Sequence, residues 1–232
     1  MTIQPNLPIV FLACKVFESL LDESILEDLA DQVSFLDYGL HEVPKRLGTS
    51  LQSAIDGIET PSLIVLGYGL CGNGLDGLRS GRHTLLIPRM DDCIAMLLGS
   101  YEAYRREFSS VPGTYYLTKG WLEAGSDPLK EYKAYVEEYG PEQAHHFMDL
   151  QYRNYERLVL VAHTRADLEA YRGQAKEVAA YCEQWGIRYE EILGSDAFIR
   201  RLVDVASDLS KANSEFLVVP PGGEVSQGDF IR

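Results

Sequence analysis

The sequence predicts an α/β fold: a mostly parallel sheet with helices on both faces, interrupted by a helical insertion. Three observations carry that expectation. Short, nearly continuous apolar runs recur along the chain, as buried parallel strands require. Segments with apolar residues at helical spacing separate them. Strands that alternate with helices favour parallel pairing through right-handed crossovers.

Residues 8–15, PIVFLACK, read as the first strand. Over 17–32, Leu20, Leu21, Ile25, Leu29 and Ala30 fall near helical spacing. VSFLDYGL at 33–40 reads as the second strand. Pro44 suits the first turn of a helix, whose apolar stripe is Leu47, Leu51, Ile55 and Ile58. LIVLGYG at 63–69 is the third strand, followed by a glycine-rich turn and at most a short helix. HTLLIPR at 83–89 is the fourth. Ile94, Met96, Leu97, Leu98, Tyr101 and Tyr104 predict one long helix over 91–108, and the fifth strand begins at Gly113.

The alternation then breaks. Residues 120–156 are Tyr-rich, acidic and helical, with Pro128 and Pro141 at two helix starts. It resumes with strands at 157–163, 187–193 and 215–220 and helices over 166–185 and 195–210. The expected organisation is an α/β core over 1–118, a helical insertion or cap over 119–156, and an α/β segment over 157–232. That last segment either completes the sheet or forms a second lobe. A sheet with strand order 2-1-3-4-5 is of the Rossmann or flavodoxin type.

The 232 residues are 46% hydrophobic and 24% charged, as in ordinary soluble proteins. A net charge of −14, with no Lys/Arg-rich run, argues against nucleic acid as a partner. The start MTIQPNLPIV lacks a basic segment, and IVFLA is too short for a secretory apolar region. No apolar stretch approaches the ~20 residues that span a bilayer. A cytoplasmic protein without a membrane partner is expected. Four cysteines in a chain of this length do not make a disulfide scaffold.

Cys14, Cys71 and Cys93 each follow an apolar run, at the ends of strands one, three and four. In a 2-1-3-4-5 sheet those strands lie side by side, and ligands bind in the crevice beyond their carboxyl ends. Adjacent strands sit ~4.8 Å apart, so three thiols in that row would share one ion or cluster. One coordination position would stay open. Zn2+ in a catalytic setting fits. So does a [4Fe–4S] cluster on three cysteines, whose free iron acts as a Lewis acid. The cysteines are 57 and 22 positions apart, which matches no short cluster motif. The competing reading is inert thiols, because free Cys is among the most buried residue types. Cys182 lies on the apolar face of the 166–185 helix and reads as core.

His41, just past strand two, is a candidate fourth ligand or proton donor. Arg89 and Asp92 flank Cys93 and are candidates to bind a substrate carboxylate and move a proton. Asp37, Tyr38 and Tyr68 also end strands, whereas His145 and His146 read as surface residues of the insertion. Residues 72–77 form a G-x-G-x-x-G, with Asp91 and Asp92 about 20 residues on, a formal dinucleotide fingerprint. LDGLRSG leaves little helix to face a pyrophosphate, however. Gly69, Gly72, Asn73 and Gly74 read better as backbone that approaches a ligand held by Cys71, with bare N–H groups able to hold an anion. The turn Pro220–Gly223 ends on the crevice side if the last strand is parallel to the rest.

The phrases DYGLHEVPKRL, VLGYGLCGNGLDGL, LIPRMDDCIAMLLGS, PGTYYLTKGW and FLVVPPG resemble a domain-of-unknown-function family, DUF1638, over nearly the whole chain. Lys15, in ACKV, stands where that family often carries an acid. The resemblance implies no established activity. Its members are common in methanogens and other anaerobes, sometimes near corrinoid-dependent methyl-transfer genes. That implies metal or cluster chemistry on small methylated or sulfur compounds.

The expected function is a metal- or iron–sulfur-binding enzyme, a lyase or transferase, acting on a small polar or sulfur/methyl-containing substrate. One alternative is a non-catalytic metal-carrier, redox or accessory protein of a methyl-transfer system. Another is a nucleotide-binding module using Gly72–Gly77. Assembly into a homo-oligomer is left open.

Overall fold

The computed structural model of the protein describes residues 7–21, 23–26 and 29–231, without the side chains of Glu23, Ser24, His41 and Glu42. The fold is mixed α/β, with two sheets that are parallel apart from one edge strand. The chain divides into two compact units, residues 1–96 with 197–232 and residues 97–196.

The first unit holds a five-stranded sheet. Its strands are β1 (Ile9–Cys14), β2 (Gln32–Leu36), β3 (Leu63–Gly67), β4 (Thr84–Pro88) and, from the end of the chain, Phe216–Val219. The spatial order is β2-β1-β3-β4 followed by that last strand. The first four run parallel, which reproduces the flavodoxin order at those positions.

Alternate residues of each strand face opposite layers. Val10, Leu12, Ile64, Leu66, Leu85 and Ile87 share one core with helix residues Leu47, Leu51 and Ile55. Those three are fully buried because their i, i+4 spacing forms one stripe. The two segments after β1 and β2 behave differently. After β1, the described residues hold a 3-10 turn, Lys15–Phe17, and a one-turn helix, α1 (Glu23–Leu26). The long helix expected over 17–32 is absent among the described residues. Acids four apart, Glu18 with Asp22 and Glu23 with Glu27, would repel along a continuous helix. After β2, α2 (Pro44–Asp56) forms as expected with Pro44 in its first turn.

The single helix expected over 91–108 is two helices, α3 (Cys93–Leu97) and α4 (Tyr101–Ser110). Gly99 adopts φ +87°, which ends the first. The Ser100 hydroxyl accepts from the Ala103 N–H at 3.0 Å and starts the second.

The second unit has its own three-stranded parallel sheet: β5 (Thr114–Thr118), β6 (Arg157–Ala162) and β7 (Arg188–Leu193), in that order. The fifth strand therefore does not extend the first sheet, and the expected division at 118 and 157 falls inside one unit. The helical insertion is the crossover from β5 to β6: α5 (Lys119–Ala124), α6 (Pro128–Tyr139) and α7 (Pro141–Tyr152). Asp127 caps α6 by accepting from the Leu129 and Lys130 N–H groups, and Gly140, at φ +82°, turns the chain into α7. α8 (Arg165–Cys182) joins β6 to β7. The tyrosines pack as a layer, with Tyr132 stacked on Tyr181 at 5.1 Å and the Tyr152 hydroxyl donating to Glu131 at 2.6 Å. Cys182 is fully buried there, as read from the sequence. His145 and His146 are exposed.

The chain returns through α9 (Ala197–Ser207) to β8 (Phe216–Val219), which pairs antiparallel with β4. Phe216 stacks on Phe198 of α9 at 5.4 Å, on the sheet face opposite α2, so helices cover both faces. The antiparallel sense follows from where the strand enters. The Arg89 N–H at the end of β4 donates to the Glu215 carbonyl at the start of β8. Pro220–Gly223 consequently lies at the amino edge of the parallel strands, where the Ser80 hydroxyl donates to the Pro220 carbonyl. The turn is not on the crevice side. None of the helices of the described residues is long and apolar enough to cross a membrane.

Candidate three-thiol site

Cys14 is the last residue of β1, Cys71 lies in the loop after β3, and Cys93 opens α3 after β4. The register places Ala13 opposite Gly67, so the Cys14 and Tyr68 ends of their strands are neighbours. A Cβ on Gly67 would stand 2.5 Å from the Ala13 Cβ. One on Gly69 would stand 2.9 Å from the Met90 carbonyl oxygen. These two glycines let the three strand ends close together. The loops are then joined by two backbone bonds, Leu70 N–H to Met90 at 2.8 Å and Cys71 N–H to Asp91 at 2.9 Å.

All three cysteines are unpaired and partly exposed as residues, yet their thiols are desolvated. Burial pushes the Cys14 thiol up to about 11, with the Asp37 charge adding to it. Burial, then the charges of Asp92 and Cys14, pushes Cys71 up to about 12. Cys93 is raised well above an ordinary thiol by burial and then by Cys71, Asp92 and Cys14. Cys14 thus acts on Cys71, and both act on Cys93, so the three sulfurs lie within electrostatic reach. Among the described residues, no three His, Cys, Asp or Glu side chains already close around one ion.

Tyr68 completes the group. Its ring is buried, its hydroxyl has no hydrogen-bond partner, and its own titration is raised by burial and then by Cys14, Cys71 and Cys93. The backbone around Cys71 is unusual. Cys71, Gly72 and Asn73 have φ of 47°, 64° and 71°, three consecutive left-handed residues. Two of them are not glycine, which is sterically disfavoured.

The other candidates separate from this cluster. The Arg89 guanidinium donates to the Asp229, Ser214 and Ile231 carbonyls at 2.7, 3.3 and 3.0 Å, pinning the end of the chain to β4. Asp92 caps α3, accepting from the Ile94 N–H at 2.9 Å, and its charge acts on Cys71 and Cys93. His41 lies in the 3-10 turn Tyr38–Glu42, and its side chain is outside the described residues. Gly72 and Gly74 pack on α2: a Cβ on each would meet Pro44 at 3.2 Å and Leu47 at 2.7 Å. With Asn73 they edge an open groove of about 1180 Å³ against α2. No helix follows Gly72–Gly77, so the turn lacks the helix N-terminus that a dinucleotide pyrophosphate uses.

One strand end escaped the sequence reading. His163 follows β6 with its Nε2 buried and unpartnered, and burial lowers its titration. The signal available was the same as for the cysteines, a polar residue closing an apolar run.

No curated protein and no solved structure matches the chain. One family model, described as a protein of unknown function, matches residues 35–203, most of the chain and two of the three cysteines. By that match the chain belongs to the DUF1638 family.

Proposed function

We propose that the crevice formed by Cys14, Cys71 and Cys93 binds a thiophilic metal ion or an iron–sulfur cluster, and that a small polar or sulfur/methyl-containing substrate is transformed there. The observation that carries this reading is the placement of three free, desolvated cysteines at the ends of three adjacent strands, Cys14 acting on Cys71 and both on Cys93. Three buried thiols stay protonated alone, and a bound cation removes both the desolvation and the repulsion that hold their protons on. Soft sulfur donors suit zinc or iron–sulfur chemistry. When bound, such a group would act as a Lewis acid at its open position.

The chain's own residues set the surroundings. Gly67 and Gly69 permit the strand ends to meet. Asp92 fixes the start of α3, which carries Cys93, and keeps negative charge beside the sulfurs. A metal-carrier or redox role is the second reading, favoured by the partial exposure of all three cysteines.

Protein purified without oxygen is expected to carry stoichiometric zinc, or iron with sulfide, by elemental analysis. Cys71→Ala is expected to lose it. Absence of both metals from the native protein, with no change on Cys71→Ala, overturns the proposal. A nonspecific chelator that strips the metal within seconds favours the carrier reading.

A further inference from the structure

The crossover hairpin α6–α7 presents an aromatic face to solvent. Tyr139, Phe147 and Leu150 are 47%, 39% and 49% exposed. They form one patch. The Tyr139 ring meets Phe147 edge-on at 5.4 Å, and Tyr135 meets Phe147 at 5.8 Å and Tyr139 at 6.1 Å. Leu150 lies three positions after Phe147, on the same side of α7. A contiguous apolar patch with a polar rim marks an interaction surface.

The rim is acidic. Glu131, Tyr135, Glu138 and Tyr139 follow i, i+4, i+7, i+8 spacing, so both carboxylates share the aromatic face of α6. The Tyr135 hydroxyl and the Gln151 amide each donate to Glu131 at 3.0 Å, joining α6 to α7 along that face. Among the described residues, the hairpin's ion pairs are Lys130–Asp127 and Arg153–Asp149, and neither Glu131 nor Glu138 enters one. Over 128–152, five carboxylates stand against two lysines. Two copies meeting through this face would set like charges together, in a chain of net charge −14. A guanidinium instead finds rings to stack on and carboxylates for its charge.

We propose that this face docks a basic amphipathic segment of another protein. An arginine of that segment lies over the Tyr139 and Phe147 rings with its charge toward Glu138 and Glu131, and its apolar side chains cover Phe147 and Leu150. The inference is independent of the three-thiol site.

The test titrates the full chain into a labelled helical peptide of Leu and Arg at about 0.15 M salt, read by fluorescence anisotropy. Saturable binding is expected. Tyr139→Ser with Phe147→Ser should weaken it about tenfold, and so should Glu138→Lys. Phe108→Ser, at an equally exposed aromatic of α4, should leave it unchanged. A Ser/Arg peptide of the same charge should bind at least about tenfold more weakly. Absence of saturable binding overturns the proposal, as does equal affinity for the Ser/Arg peptide, which would mean attraction by net charge alone. Should the double Ser variant melt lower than wild type, Glu138→Lys, an exposed change, decides: wild-type affinity there overturns the proposal. Sedimentation of wild type without peptide reads the remaining occupant. A dimer that the double Ser variant abolishes means that a second copy covers the face, and overturns the proposal too.

Discussion

Replacing Asp92 by Asn tests whether the thiols are held protonated as the structure requires. An Asn side chain keeps the oxygen that caps α3 but removes the negative charge acting on Cys71 and Cys93. The magnitudes follow from the thiolate fraction, since only the thiolate is alkylated. At pH 8 a thiol titrating at 9.0 is about one-tenth ionised. Cys14, at about 11, is about a thousandth ionised, and Cys71, at about 12, about a ten-thousandth. Iodoacetamide is thus expected to modify them about 100-fold and 1000-fold more slowly than the same cysteines in urea. The rate for each should rise tenfold per pH unit between 8 and 10. A like charge is worth on the order of one pKa unit, so Asp92→Asn should speed Cys71 about tenfold and leave Cys14 unchanged. Peptide mass spectrometry of metal-free protein over a time course resolves each site. Modification of native Cys71 at the urea rate at pH 8 refutes the reasoning, as does an Asp92→Asn rate equal to wild type.

The same thiols make stability pH-dependent. The folded protein keeps protons on Cys14 and Cys71 up to about 11 and about 12, whereas the unfolded chain loses them near the ordinary 9.0. Stability is therefore complete below about pH 8 and falls as pH rises toward 11. Melting of the metal-free protein should be lower at pH 10 than at pH 8, and Cys14→Ser with Cys71→Ser should flatten that slope. Gly67→Ala should cost about 1–3 kcal/mol, because its Cβ would stand 2.5 Å from Ala13 Cβ; adding Ala13→Gly should recover most of it, as thermal melts of the single and double variants will tell. Arg157 is buried and donates to Glu107 and Glu190, each at 2.8 Å. Both carboxylates are about one-third exposed and can be rehydrated, so Arg157→Met should cost about 2–3 kcal/mol, below the full penalty of a broken buried pair. Hydrogen exchange in β5 and β6 should accelerate, and unchanged protection there would contradict the role of the pair.

Much of the first sheet was legible because β1 and β3 are unbroken apolar runs and its helix α2 carries a clean i, i+4 stripe. Local chemistry also marked the starts of α6 and α7, where prolines occupy first-turn positions. Two elements were misjudged for opposite reasons. Apolar spacing over 17–32 and 91–108 suggested long helices, but like charges in the first and Gly99 with Ser100 in the second weigh against continuity. Within the candidate site, the positions of the three cysteines at strand ends were readable. The capture of Arg89 by three carbonyls was not, because its partners lie more than a hundred residues away in sequence.

The sequence by itself determined where strands and helices form and which strand ends carry sulfur, since periodicity and turn chemistry act over a few residues. Only the tertiary structure decided which strands share a sheet. β5 joins β6 and β7, while β8 returns to β4 in the antiparallel sense. Pairing depends on how buried faces match across the whole chain, and apolar runs of similar composition match more than one partner. It also decided that Tyr68 is buried with its hydroxyl unpartnered. A strand-end tyrosine has the same sequence signature whether its hydroxyl meets water or is buried without a partner; packing makes the difference.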